Sequence, residues 1–287
     1  MIIWQSIENK QRTIYFMKKI TSFIILLCVP FISAWDQKPN KPIDQCSVEL
    51  PYGVPVYNNP NSVIRCLDGF ALQHDNTAKI APWAGWTLTP QESIGCIPRT
   101  DAFVADASIP KGQRAEVSDY AKSGYDKGHM VPDGDLSYNQ QVEYESFLMS
   151  NMSPQLPNLN RGAWKLLETH TRAWAFERGH NLTVYSGNIY SKTSKTIGEN
   201  KVVVPDYIFK IIIDNSTGEV LSFAFPQVPK QDTELNNKLV SVEWIEKATN
   251  IVFPLPAAYD KKQVSKTIWP VDLSKVATAK KETCKKK

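Results

Sequence analysis

The chain reads as an α+β fold: a mixed architecture with a central antiparallel sheet and flanking helices. Three observations predict it. Short β-branched and aromatic runs, broken by Gly, Pro and Asn, fill the stretch from Val63 to Leu88. Helical spacing of apolar residues gathers in residues 140–177, and strand-like runs resume at Leu182. Strands, then helix, then strands is not the alternation of βαβ units, and it suggests one sheet system on each side of the helical segment.

The elements follow in order. Val63–Cys66, Phe70–Gln73 and Trp83–Leu88 are predicted strands. Residues 118–137 are dense in Gly, Asp and Tyr and read as loop with one brief strand. Residues 140–149 have mild helical character. Residues 162–177 have more, with Trp164, Leu167, Thr171 and Trp174 on one face and Gly179 as the stop. Strands are predicted again at Leu182–Ser186, Lys201–Val204, Tyr207–Asp214 and Val220–Phe225, the last two joined by the turn residues Asn215, Ser216, Thr217 and Gly218. A late helix is expected at Ser241–Ala248.

Composition excludes some classes. With 42 % hydrophobic and 22 % charged residues the chain is neither disordered nor a membrane bundle. Residues 1–34 read as a secretory signal: Lys18 and Lys19, an apolar run from Ile24 to Ile32, then Ser33 and Ala34. A membrane anchor is the competing reading, but the run is about half of the roughly 20 residues a span needs. Met17 is an alternative start. The rest divides into an N-terminal extension at 35–60, a main domain at 61–270 and a lysine-rich tail at 271–287. An exported product, secreted or periplasmic, is therefore expected, without stable membrane insertion once the signal is removed.

Charge needs the same division. Lys10, Arg12, Lys18 and Lys19 leave with the signal against Glu8, so the formal +4 of the whole chain falls to +1. The tail holds six lysines against Asp272 and Glu282, which leaves the body between Trp35 and Pro270 at −3. The pI of 8.6 is thus no global nucleic-acid footprint, and the tail reads as a solvated, solubilising end. Of five cysteines, Cys28 leaves with the signal. Cys46, Cys66, Cys96 and Cys284 remain and allow three connectivities, among which the sequence does not choose; Cys66–Cys96 with Cys46–Cys284 is the pairing guessed, and no pair has zinc-ligand spacing.

The chemistry gathers around one of four histidines. Tyr125-Asp126-Lys127-Gly128-His129-Met130 sets an imidazole directly after a glycine in a loop, beside a carboxylate and a lysine. An exposed loop histidine titrates near neutrality and can take a proton from water. Gly128 would permit a tight turn or close approach of a phosphate. Further on, Asn160 and Glu168 stand eight apart with Trp164 between them, a single helical stripe about 12 Å long. An amide oxygen and a carboxylate are hard donors of the kind Mg²⁺ takes while keeping several waters. A helix cap at Asn160 and a solvated Glu168 are the plain alternatives. His74, His170 and His180 have no such company and read as structural or surface residues.

These segments together resemble the DNA/RNA non-specific endonuclease family with its ββα-metal active site. The Asp126–His129 segment, Ser150–Gln155 and the run from Asn160 to Glu168 carry the likeness in order and spacing. Counterparts extend outward to Arg99 and Asp101, the Asp119–Tyr125 lead-in, Ser186–Tyr190, Pro205–Tyr207 with Lys210, and residues 240–253. The resemblance implies His129 as general base, Asn160 as the one direct Mg²⁺ ligand, and Glu168 orienting a metal-bound water. It implies Asn151 as a polar group near the base and Arg99 bracing the scissile phosphate. Mn²⁺ substituting for Mg²⁺ is also expected. Lys127 stands where the family most often has arginine; it keeps the charge in the substrate-binding loop but loses the planar fork.

The combined expectation is an Mg²⁺-dependent, sugar-non-specific endonuclease leaving 5′-phosphate ends. DNA and RNA are its substrates, gripped through phosphates, with a homodimer and an inhibitor protein as further partners. A catalytically weak nucleic-acid-binding or uptake protein on the same scaffold, and a secreted toxin or effector nuclease, are the alternatives.

Overall fold

The computed structural model describes residues 50–285. The predicted signal, Met17, Cys46 and residues 35–49 of the N-terminal extension lie outside them. Ten strands and five α-helices are described. The strands are β1 (Ser62–Cys66), β2 (Ala71–Asp75), β3 (Ile80–Leu88), β4 (Asp126–His129), β5 (Met152–Gln155), β6 (Leu182–Ile189), β7 (Thr196–Ile197), β8 (Val202–Val203), β9 (Tyr207–Asp214) and β10 (Val220–Pro226). The helices are α1 (Asp133–Leu136), α2 (Gln140–Ser146), α3 (Lys165–Arg178), α4 (Val242–Thr249) and α5 (Leu273–Cys284). The α+β class and the central antiparallel sheet hold.

The strands before and after the helical segment form one sheet, not two. Its order is β1-β2-β3-β6-β9-β10, antiparallel throughout. The join is β3 against β6, with Trp86 opposite Val184. Both are buried on both faces, so neither shows the polar alternation that would have marked a sheet edge in the sequence. Between β3 and β6 the chain leaves the sheet and builds a two-stranded ribbon, β4 with β5, followed by α3. The β9–β10 hairpin turns where predicted, with Gly218 at φ 73°.

Period-two alternation on β9 sorts the core into two layers. Ile208 and Ile212 face α3 with Trp86, Trp164, Trp174 and Phe223, while Phe209, Ile211 and Ile213 face Val242 and Ile245 of α4 and Phe253. Lys210 falls on the α3 side by the same alternation and is fully buried. α3 ends at Gly179 in the left-handed conformation, and the Ser241 side chain caps α4 by accepting from Trp244 N at 3.1 Å. From Leu50 onward the extension packs into the second layer through Leu50, Tyr52, Val54 and Tyr57. Among the described residues no helix is long and apolar enough to cross a membrane.

The disulfide expectation is overturned: Cys96 bonds Cys284, so neither Cys66–Cys96 nor Cys46–Cys284 forms. The reason is α5, a helix in the lysine-rich tail, which packs on α3 and on the turn Glu92–Ile94 and brings its last turn to Cys96. Cys66 is also disulfide-bonded.

Candidate active site

The β4–β5 ribbon sets the first residues. Gly128 lies opposite Ser153 and His129 opposite Met152. A Cβ on Gly128 would come within 2.2 Å of the Gln155 side chain, so the glycine makes room for that buried glutamine; no left-handed turn is needed. His129 is not an exposed loop residue. It ends a strand, is 7 % exposed, and its ring stands edge-on to Phe147 at 4.9 Å and tilted to Phe103 at 5.9 Å.

Burial in this aromatic box, and then the charge of Arg99, pull the His129 pKa down to about 3, against the weaker opposite pull of Asp101. The imidazole is therefore neutral at physiological pH. No described residue bonds its buried Nε2. Trp164 Nε1 donates to the His129 carbonyl oxygen at 3.2 Å and ties the end of β4 to α3. Asn151 holds the next step of the chain: its Oδ1 accepts from Val131 N at 3.0 Å, and its Nδ2 donates to the carbonyls of Val131 and Ser146 at 2.9 and 2.8 Å.

The stripe expected from Asn160 to Glu168 is not one regular helix. Residues Leu159–Trp164 form a π-type turn with a break at Gly162 (φ −108°, ψ −109°), and α3 proper starts at Lys165. Trp164 turns into the core, whereas Asn160 and Glu168 both reach the same cavity. Asp126 fixes Asn160: it accepts from Asn160 Nδ2 at 3.0 Å and from Arg161 Nε and Nη2 at 2.8 and 2.6 Å. Burial alone would raise the Asp126 pKa, but these bonds outweigh it and hold the carboxyl below its usual value. With the amide nitrogen committed, Oδ1 is the atom left to accept.

A cavity of about 500 Å³ collects Arg99, Lys127, His129, Asn160 and Glu168, five of the six residues singled out from the sequence. Asn151 is not among its lining residues. Arg99 lies 4.9 Å over the Phe147 ring and pairs with Asp101 and Asp133. Lys127 Nζ lies 4.5 Å over the Phe103 ring. The two aromatic walls of the histidine thus also carry the two cations beside it.

Sequence reasoning missed several contributors. Arg172 lines the cavity one helical turn after Glu168 and donates to Asp135 Oδ1 at 2.9 Å; its i, i+4 spacing from Glu168 was the available signal. Trp86 Nε1 holds the other oxygen of Asp135 at 3.1 Å. Lys210 sits below, its Nζ 4.4 Å over the Trp164 ring and 5.3 Å from that of Trp86, without a hydrogen bond among the described residues. The family resemblance had already named Lys210 as a counterpart, but only its place inside the apolar run of β9 hinted at burial. Burial raises the Glu168 pKa to about 7, against the weaker opposite pull of Lys210 and Arg172. The phenylalanine box had no sequence signal, because Phe103 and Phe147 are far apart in the chain.

Comparison with known proteins agrees with this geometry. A family model described as DNA/RNA non-specific endonuclease matches residues 52–259. Human mitochondrial endonuclease G is 28 % identical over 205 residues, covering 66 % of this chain and 69 % of the human protein. A nuclease of Syncephalastrum racemosum is 30 % identical over 234 residues, covering 72 % of this chain and 71 % of its own length. A solved EndoG/EndoGI complex, described as showing the mechanism of EndoG inhibition, superposes with a TM-score of 0.66 at 27 % identity over 75 % of this chain and 93 % of that one. The ribbon-and-helix site and these matches make one conclusion: the chain belongs to the DNA/RNA non-specific endonuclease family and is a nuclease.

Proposed function

We propose that the protein is an exported, Mg²⁺-dependent endonuclease that hydrolyses phosphodiester bonds of both DNA and RNA and leaves 5′-phosphate ends. The observation that carries this reading is the meeting of a neutral, boxed His129 with Arg99 and the Asp126-oriented Asn160 in one cavity.

The donor set fits a hard divalent cation. Asn160 Oδ1 is free of its amide's other bond, Glu168 faces the same space, and amide and carboxylate oxygens are the ligands Mg²⁺ takes with water completing its shell. Asn160 would hold the ion and Glu168 would orient its water. Bound there, the ion supplies positive charge at the phosphate and the leaving oxygen. His129 accepts the proton of the attacking water through a ring nitrogen. The water oxygen bonds phosphorus as the bond to the 3′-oxygen breaks in line with it, and the 3′-oxygen takes a proton from solvent. Arg99 meets the charge that builds on the non-bridging oxygens. Lys127, Arg172 and the exposed Arg161 add phosphate contacts that read no base, which supports acceptance of both polymers. Export is supported by the signal-like pattern of residues 1–34 and by the Cys96–Cys284 bond, since disulfides persist in oxidising compartments.

The test incubates purified protein with plasmid DNA and with RNA, in Mg²⁺ and then in EDTA, beside His129→Ala. Degradation of both polymers that stops with EDTA and with the substitution is expected. Intact polymers in Mg²⁺ would sink the enzyme reading. Full activity in His129→Ala would sink the site assignment alone.

A further inference from the structure

We propose that α5 is a phosphate-binding arm, stapled beside the cleft to hold the backbone of a long nucleic acid outside the scissile position; this rests on the nuclease reading above. The helix is anchored toward the site at two points. Cys284, its last residue, is bonded to Cys96, three positions before Arg99 in the chain. Lys280 Nζ stands 3.5 Å from Ser137 Oγ, and Ser137 caps α1, whose Asp133 pairs with Arg99. The helix also packs along α3, which carries Glu168 and Arg172 into the cavity.

The charges on α5 are sorted. Lys275 is committed to Glu177. Lys280 is half-buried and close enough to Arg172 that, after burial itself, the arginine lowers its pKa, against Asp133 and Asp135. Lys281 and Lys285 are exposed and one turn apart, so they share a face. Three ammonium groups, set against Glu282 on the helix and against Asp133 and Asp135 near Lys280, therefore add positive charge on the side of Arg172, on a body that is otherwise net negative. A merely solubilising tail has no need of a covalent tie spanning 188 residues or of a lysine packed against the end of α1. Like charges held together repel, and a polyanion that displaces their counterions relieves that repulsion.

The test measures binding of a labelled long DNA duplex by full-length His129→Ala protein in EDTA across a salt series. The parent is compared with Lys281→Gln/Lys285→Gln and with a triple variant that adds Lys280→Gln. The slope of log affinity against log salt should fall by about 2 in the double variant and about 2 to 3 in the triple. An unchanged slope in the double variant, with its melting temperature retained, overturns the arm; both its residues are exposed, so misfolding is not the expected cause. Plasmid cleavage by protein with His129 intact is run in parallel. Cleavage with an unchanged slope defeats the arm alone, and a shallower slope without cleavage defeats the nuclease reading alone.

Discussion

Asp126 offers the sharpest test of how the site is held. Its carboxylate accepts one bond from Asn160 and two from Arg161, so Asp126→Ala releases both. The two losses differ in weight. The Arg161 side chain is 71 % exposed, and a solvent-screened pair of this kind contributes at most about 1 kcal/mol. The Asn160 bond is charge-assisted and part-buried, which makes it worth about 1.5–3 kcal/mol. Without it the amide is free to rotate and Oδ1 is no longer aimed at one place. At 1.36 kcal/mol per factor of ten, that corresponds to a roughly ten- to hundredfold weaker hold on the ion, the range found when other partners of metal ligands are removed.

The assay is cleavage rate against Mg²⁺ concentration at saturating DNA, with a melting curve for each protein. Asp126→Ala should raise the half-saturating Mg²⁺ by roughly ten- to hundredfold, with a small change in melting. Arg161→Ala separates the two effects: its shift should be at most about fivefold. If Arg161→Ala reproduces the whole shift, the carboxylate acts through the arginine. If Asp126→Ala leaves the Mg²⁺ dependence unchanged, Asn160 does not need its anchor and the carboxylate has no part in holding the ion.

Two further outcomes can be checked. Lys127→Arg should keep or raise turnover in a plasmid assay, because arginine restores the two-bond grip on phosphate while its planar group can still lie over Phe103; a large loss would show that the lysine has a distinct role. The buried Asp214 carboxyl, which burial alone would raise, is held low by His180, Arg178 and the backbone N–H groups of Ser216 and Thr217. A depressed carboxyl stabilises the fold above its unfolded pKa and loses that contribution as pH falls through its folded pKa, so Asp214→Asn should lower stability by about 1–3 kcal/mol at neutral pH and by less at acid pH. Melting curves at the two pH values read this, and an equal loss at both would refute it.

What the sequence made legible was local. β9, β10, their turn, and α3 with its glycine stop appear within two or three residues of where periodicity and breakers put them. Motif spacing located Arg99, Lys127, His129, Asn160 and Glu168, which the fold then brings around one cavity. Long-range pairing was not legible. The run of β3, buried on both faces, has no mark that says its partner is β6, some ninety residues later, and four cysteines leave three pairings open. The π-type turn at Gly162 was hidden for another reason: a 3.6-residue count through Asn160, Trp164 and Glu168 looks regular, but Trp164 must turn inward to reach the His129 carbonyl.

The environments of His129 and Glu168 pull their proton affinities in opposite directions within one cavity. Phenylalanine walls remove solvent from the imidazole and Arg99 opposes its protonation, so it waits neutral, at the cost of a lower proton affinity than a free imidazole. Burial works the other way on Glu168, favouring the protonated acid. Under the proposed role Glu168 would orient water through its negative oxygens, and two cations beneath and beside it oppose the upward shift, which still ends at about 7. Arg172 is held by Asp135, and Lys210 is packed against two tryptophan rings without a hydrogen bond of its own among the described residues. A buried ammonium left without hydrogen bonds is costly on its own account. Its surroundings link it to the site above it: burial depresses its pKa, Glu168 and Asp135 pull it back up, and it in turn draws the Glu168 pKa down against burial. The apolar core under α3 thus does more than support the helix, because its buried lysine bears on the proton affinity of a carboxyl that lines the cavity.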